Sequence, residues 1–105
     1  MDVPEIDART LKQRLTSDAE QPVLLDVREP YEYAEGVIPG AVFIPMNDIP
    51  ARIDELDRDA EIVVYCAHGV RSWQVAAYLL YNGFTNVKSL ADGFAAWAYH
   101  ARYGK

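Results

Sequence analysis

With 105 residues, a mass of 11.8 kDa and a net charge of −6, the chain has the size of one ordinary domain, expected to run over 1–105. Its single cysteine excludes an intrachain disulfide and a cysteine-based zinc finger, and with only two histidines no metal site is expected. The acidic balance, with a pI near 4.7, speaks against nucleic acid and anionic membrane as partners.

The stretch Met1 to Glu5 is acidic and lacks the basic flank and apolar core of a signal peptide. The apolar stretches Val75 to Tyr81 and Phe94 to Tyr99 are far too short to span a bilayer. The expectation is a cytoplasmic protein whose lone thiol stays reduced.

In chain order, Ile6 and its neighbours form a weak strand candidate. Asp7 is placed to cap a helix from Ala8 to Leu15, with Leu11 and Leu15 stacked at i and i+4. Val23 to Val27 is apolar and β-branched on successive positions, as expected of a strand covered on both faces. Ala41 to Ile44 is a second weak strand. Asn47 or Asp48 is placed to cap a short helix with Ile49, Ile53 and Leu56 on its inner face. The charge-rich stretch Asp54 to Asp59 reads as a solvated helix end and loop. Ile62 to Tyr65 is the strongest strand, Ser72 to Asn82 the clearest helix, and Gly83 its breaker. Val87 to Ser89 is a third weak strand. Gly93 to Ala101 is a helix, with Phe94, Trp97 and Ala101 in one stripe and Trp97 as core. Strands alternating with helices predict an α/β layer fold with a mostly parallel sheet. Such sheets place ligands beyond the carboxyl ends of their strands, which points to the segments after Val27 and after Tyr65.

The segment after Tyr65 is Cys66-Ala67-His68-Gly69-Val70-Arg71-Ser72. A short loop entering a helix aims several backbone N–H groups at one point, and those donors favour an anion. A cysteine at that focus is expected to have a depressed pKa and to act as a nucleophilic thiolate. Gly69 permits a turn that a side chain would block. His68 is either a loop side chain or a substrate contact. Arg71 either faces the substrate or turns inward to pair with an acid such as Asp26 or Glu32. Asp26 and Arg28 are expected to form an ion pair that orders the loop, rather than to do chemistry. Trp73 is either core or one wall of the entrance. The tyrosines, among them Tyr31, Tyr33, Tyr78 and Tyr81, are read as half-buried surface.

At these residues the chain resembles the single-domain rhodaneses, a family of sulfurtransferases. Cys66, four intervening residues, Arg71 and Ser72 match the family's active loop. Asp26 to Tyr33, followed by Gly36 to Ala41, is similar to its upstream signature, and Asp92 to Trp97 to its C-terminal one. Val37 stands where the family usually has His, and Asp92 where it often has a glycine; neither position is expected to do chemistry.

The resemblance implies a five-stranded, mostly parallel sheet with helices on both faces. It implies Cys66 as catalytic residue and substrate held by Ala67, His68, Gly69, Val70, Arg71 and Ser72; Asp26, Arg28 and Glu32 are read from their own chemistry as ordering the loop. It implies a sulfane sulfur taken from a small anionic donor such as thiosulfate, or from a persulfide, carried on Cys66 and passed to cyanide or a thiol, with no cofactor. The phosphate- and arsenate-directed relatives have a loop one residue longer, so a phosphatase or arsenate reductase ranks below sulfur transfer. Two further alternatives are a protein-to-protein sulfur relay and a non-catalytic binding module, the latter disfavoured by the presence of Cys66. With only His68 as a basic candidate inside the loop, a sulfur-relay protein is a candidate partner.

Overall fold

The two strongest apolar runs become neighbours at the centre of one sheet. The computed structural model describes residues 2–103; Met1, Gly104 and Lys105, the ends of the expected 1–105 unit, lie outside the described residues. Five parallel strands, β1 (Glu5–Ile6), β2 (Val23–Asp26), β3 (Val42–Phe43), β4 (Ile62–Tyr65) and β5 (Val87–Leu90), lie in the order β1-β5-β4-β2-β3. The helices are α1 (Ala8–Leu15), α2 (Pro30–Glu35), α3 (Ile49–Arg52), α4 (Val70–Tyr81) and α5 (Gly93–Tyr103). Turns of 3-10 helix at Met46–Asp48 and Ile53–Glu55 flank α3.

Strand periodicity divides the core into two layers. Ile62, Val64 and Cys66 point to one face, where they pack with Ile49, Val75, Ala76 and Leu79. Val63 and Tyr65 point to the other, with Ala8, Leu11 and Leu90, and Phe94 and Trp97 beside them. α3 and α4 therefore cover one face and α1 and α5 the other, as an apolar run without a polar side requires. Cys66 continues the alternation of β4 and so emerges on the α4 side.

Of the expected helix starts, one holds, one shifts and one lacks its cap. Asp7 caps α1, its carboxylate accepting the Thr10 N–H at 2.7 Å. α4 starts at Val70, two residues before the expected Ser72, because the loop itself winds into the first helical turn. Asp48 precedes α3, but its side chain makes no capping bond; the preceding 3-10 turn already sets the helical direction.

Three readings change. Trp97 is half-buried against the second core layer instead of inside it, and Ala101 is exposed. Tyr65 is fully buried, while Tyr31 and Tyr81 are largely exposed. The segment Pro30 to Glu35 is a helix that no apolar stripe announces; it buries none of its residues. Pro30 at its first position presets the helical φ, and Glu32 accepts the Glu29 N–H at 2.9 Å, closing the first turn.

The order of strands reverses between β2 and β4. The chain leaves β2 towards the β3 edge and leaves β4 towards β5, so the two connections part and leave a crevice at the carboxyl ends.

Candidate functional site

The loop from Cys66 to Arg71 fills that crevice. Cys66 is buried, and its Sγ accepts hydrogen bonds from the Gly69 N–H at 3.2 Å and the Ser72 N–H at 3.3 Å. The Ser72 hydroxyl lies 3.5 Å away. Burial pushes the Cys66 thiol up, yet the Ser72 hydroxyl and the backbone N–H groups of Ser72, Gly69 and His68 outweigh it and hold the pKa below the ordinary thiol value. The sulfur thus sits where a loop and the first turn of α4 converge their donors.

What turns those donors inward is a second loop. The carbonyls of Cys66 and Ala67 point away from the sulfur and accept from Phe94 N–H at 2.8 Å and Ala95 N–H at 3.1 Å, at the start of α5. Two glycines make this back-to-back contact feasible. Gly69 has φ +102°, and a Cβ there would strike the Ala91 carbonyl oxygen; Gly93 has φ +73°, and a Cβ there would strike the Ala67 carbonyl. Asp92, between them, accepts the Ala8 N–H at 3.0 Å and ties α1 to the same corner.

Arg71 turns to Glu32. Its two terminal nitrogens donate to the two Glu32 oxygens at 2.8 and 2.9 Å, joining the active loop to α2. Hydrogen bonds from Arg71, against the opposing effect of burial, hold Glu32 at about 2. Arg71 itself is raised, first by its bonds to Glu32. Of the two acids named for this arginine, Asp26 is taken elsewhere. It lies at the end of β2, fully buried, and receives Arg28 through Nε at 3.0 Å and Nη2 at 2.8 Å. The Arg28 guanidinium also donates to the Gly36 carbonyl at 2.6 Å and lies 4.3 Å from the Phe94 ring centroid. Asp26 and Arg28 thereby join β2, the segment after α2 and α5 in one buried knot.

The remaining loop residues are placed more openly. His68 is exposed, Ala67 is half-buried, and Val70 is 69 % exposed at the start of α4. Trp73 is 40 % exposed and so is not core. Cys66, Gly69, Arg71 and Ser72 are brought together with Glu32, while Asp26 and Arg28 stand behind them. Residue-by-residue reading had missed Ser89, whose hydroxyl lies 2.8 Å from that of Ser72. A serine between Lys88 and Leu90 in a short strand is the available signal. It had also missed Gly93 as a wall of the loop, although a glycine opening a helix is itself a signal for close approach.

Among the described residues no cluster of His, Cys, Asp and Glu has the arrangement of a metal site, and no helix is long and apolar enough to cross a membrane.

The chain is similar to known proteins over most of its length. The profile of the rhodanese-like domain matches residues 7–100. A sulfurtransferase of Allochromatium vinosum is 46 % identical over 98 residues, covering 93 % of this chain and 91 % of that protein. The thiosulfate sulfurtransferase GlpE of Pseudomonas entomophila is 41 % identical over 86 residues, covering 82 % and 79 %. Among solved structures, a rhodanese-like domain protein from Staphylococcus aureus superposes with a TM-score of 0.85 at 34 % identity, covering 90 % of this chain and 91 % of the other.

Proposed function

We propose, for a chain that belongs to the rhodanese-like domain family, that it is a sulfurtransferase working through a persulfide on Cys66. The observation that carries the reading is the Cys66 sulfur under the Gly69 and Ser72 N–H groups, with its pKa depressed. In the first half-reaction the thiolate attacks the outer sulfur of the donor. A Cys66–sulfur bond forms, the donor's S–S bond breaks, and its electron pair leaves with sulfite (from thiosulfate) or with a thiolate (from a persulfide). The N–H groups of the loop, among them those of His68, Gly69 and Ser72, would hold the outer, anionic sulfur. In the second half-reaction cyanide or a thiolate attacks that sulfur and Cys66 leaves as thiolate. The hydrogen bonds that lower its pKa also make it the better leaving group.

In this reading Arg71 and Glu32 shape the loop, and Asp26 and Arg28 hold the floor beneath it. A reducing compartment such as the cytoplasm would keep the unloaded thiol available. The test is intact-mass measurement after incubation with thiosulfate in the absence of reductant. A gain of one sulfur atom, absent in Cys66→Ala, is expected; an unchanged mass overturns loading from thiosulfate.

A second reading, a relay from a protein persulfide, is favoured by the charge of the site. Glu32 neutralises the Arg71 guanidinium, and the rim carries exposed Val70, Trp73 and Tyr31. A dianion such as thiosulfate therefore meets backbone donors and the exposed His68, and no free guanidinium of the loop. Loading that is faster from a cysteine persulfide than from thiosulfate at equal concentration supports the relay; the reverse order removes it.

A further inference from the structure

Behind the Ser72 hydroxyl lies a second buried hydroxyl, that of Ser89. Ser89 is fully buried on β5, opposite Val64 of β4, and its Oγ lies 2.8 Å from the Ser72 Oγ, itself fully buried and 3.5 Å from the Cys66 Sγ. We infer that Ser89 is a positioning residue for the nucleophile: its hydroxyl donates to the Ser72 Oγ and thereby commits the single Ser72 proton to the Cys66 sulfur.

The direction of the chain follows from counting hydrogens. Each hydroxyl has one proton to give. Among the described residues, the Ser72 Oγ is the only hydrogen-bond partner of the Ser89 hydroxyl. If Ser72 gave its proton to Ser89, the Ser89 proton would be left without an acceptor in the interior, at the cost of an unmade buried hydrogen bond. With Ser89 as donor, both protons are used and the chain ends on the sulfur. That arrangement fits a thiolate, which accepts from the Gly69 N–H, the Ser72 N–H and the Ser72 hydroxyl; a thiol that donates to the Ser72 oxygen across the same 3.5 Å contact instead leaves one proton of the two hydroxyls without an acceptor. Aligned hydroxyls also polarise one another, so the Ser72 bond to sulfur strengthens.

The inference rests on Cys66 acting as a thiolate nucleophile, as proposed above, but its measurement needs no sulfur donor. The titratable and charged groups around the sulfur are His68 and Arg71 of the loop, Glu32 of α2, the Asp26–Arg28 pair at the end of β2, and Asp92 after β5. A Ser89 substitution changes none of them.

The experiment is the pH dependence of Cys66 alkylation by iodoacetamide in the wild type, Ser89→Ala, Ser72→Ala and the double variant, each checked for folding by thermal melting. Ser89→Ala is expected to move the midpoint up and to slow alkylation below it by roughly two- to fivefold, the scale of one hydrogen bond acting through another. In the Ser72→Ala background it should add nothing, since its path runs through Ser72. Ser89→Thr, which keeps the hydroxyl, should restore the wild-type profile. A Ser89→Ala profile that superposes on the wild type overturns the inference, as does an equal shift with and without the Ser72 hydroxyl. If the wild type accepts no sulfur from thiosulfate or a persulfide, the proposed function fails while the alkylation profiles still decide the role of Ser89.

Discussion

Glu32 and Arg71 stand 39 residues apart in the chain and meet through two hydrogen bonds of 2.8 and 2.9 Å. The pair fastens the active loop to a helix that buries no side chain of its own. Its contribution depends on pH. The carboxyl of Glu32 lies at about 2 in the folded protein and at an ordinary 4.5 when unpaired. A depressed folded pKa means stability that is full above 4.5 and is lost as the pH falls towards 2. Glu32→Gln is expected to destabilise by about 1 to 2 kcal/mol at neutral pH, discounted because Arg71 is partly exposed. The gap between wild type and variant in urea melts should shrink between pH 4.5 and 2. A gap of constant size over that range would show that the ion pair does not set loop stability.

The buried pair behind the loop should be far less forgiving. Asp26 is fully buried and Arg28 nearly so, and the guanidinium serves Asp26, the Gly36 carbonyl and the Phe94 ring together. Arg28→Met strands a buried carboxylate and should cost about 3 to 5 kcal/mol. Arg28→Lys keeps the charge but loses the fork and the stacking, and should recover only part. The double variant Asp26→Asn with Arg28→Met should be more stable than the sum of the singles predicts. Additive losses in denaturant melts would mean that the two groups do not act as a pair.

Most of the sheet could be read from its residues, because Ile62 to Tyr65 and Val23 to Asp26 carry their burial in their own side chains. The same holds for α1 and α4, whose caps or apolar faces are local. What could not be read depends on partners distant in the chain. α2 has no buried face and is anchored by Arg71, far along the sequence. Gly93 is required by the carbonyl of Ala67; a glycine opening a helix signals close approach, but not which backbone approaches. Arg71 had two acids to choose from, and the choice follows from Asp26 being already held by Arg28. Ser89 looked like a polar residue in a weak strand; only the approach of α4 gives its hydroxyl a partner.

The two glycines should respond differently from ordinary loop glycines. Gly69→Ala and Gly93→Ala each place a Cβ against a backbone carbonyl, at a positive φ that a side chain disfavours. The Ala67 carbonyl is held in place by the Ala95 N–H, and Ala91 is anchored through its own N–H, which donates to the Ile6 carbonyl. Each substitution should cost roughly 2 kcal/mol or more and lower the rate of Cys66 alkylation together with stability. Gly40→Ala is the control for backbone strain alone, since Gly40 has φ +86° but a Cβ there meets nothing within 4 Å. Equal, small effects at all three positions would argue against the back-to-back packing of the two loops.

Oxidation tests the isolation of the nucleophile. Cys66 is the only cysteine in the sequence, so a sulfenic acid on its sulfur has no second thiol in this chain to close a disulfide. Its depressed pKa favours attack on peroxide, while its burial under Gly69 and Ser72 slows access. Mild peroxide is therefore expected to abolish alkylation of Cys66, with an intact-mass gain first of one oxygen and later of two or three. An external thiol added early should restore the free thiol; added late, it should not, because the sulfinic and sulfonic acids do not return. Prior loading of the wild type with a sulfur donor should shift the oxidation to the outer sulfur, which a reductant cleaves away to leave Cys66 intact. A thiol that remains fully alkylatable after prolonged peroxide would show that a sulfur open to iodoacetamide does not react with peroxide as a thiolate, and would count against its depressed pKa.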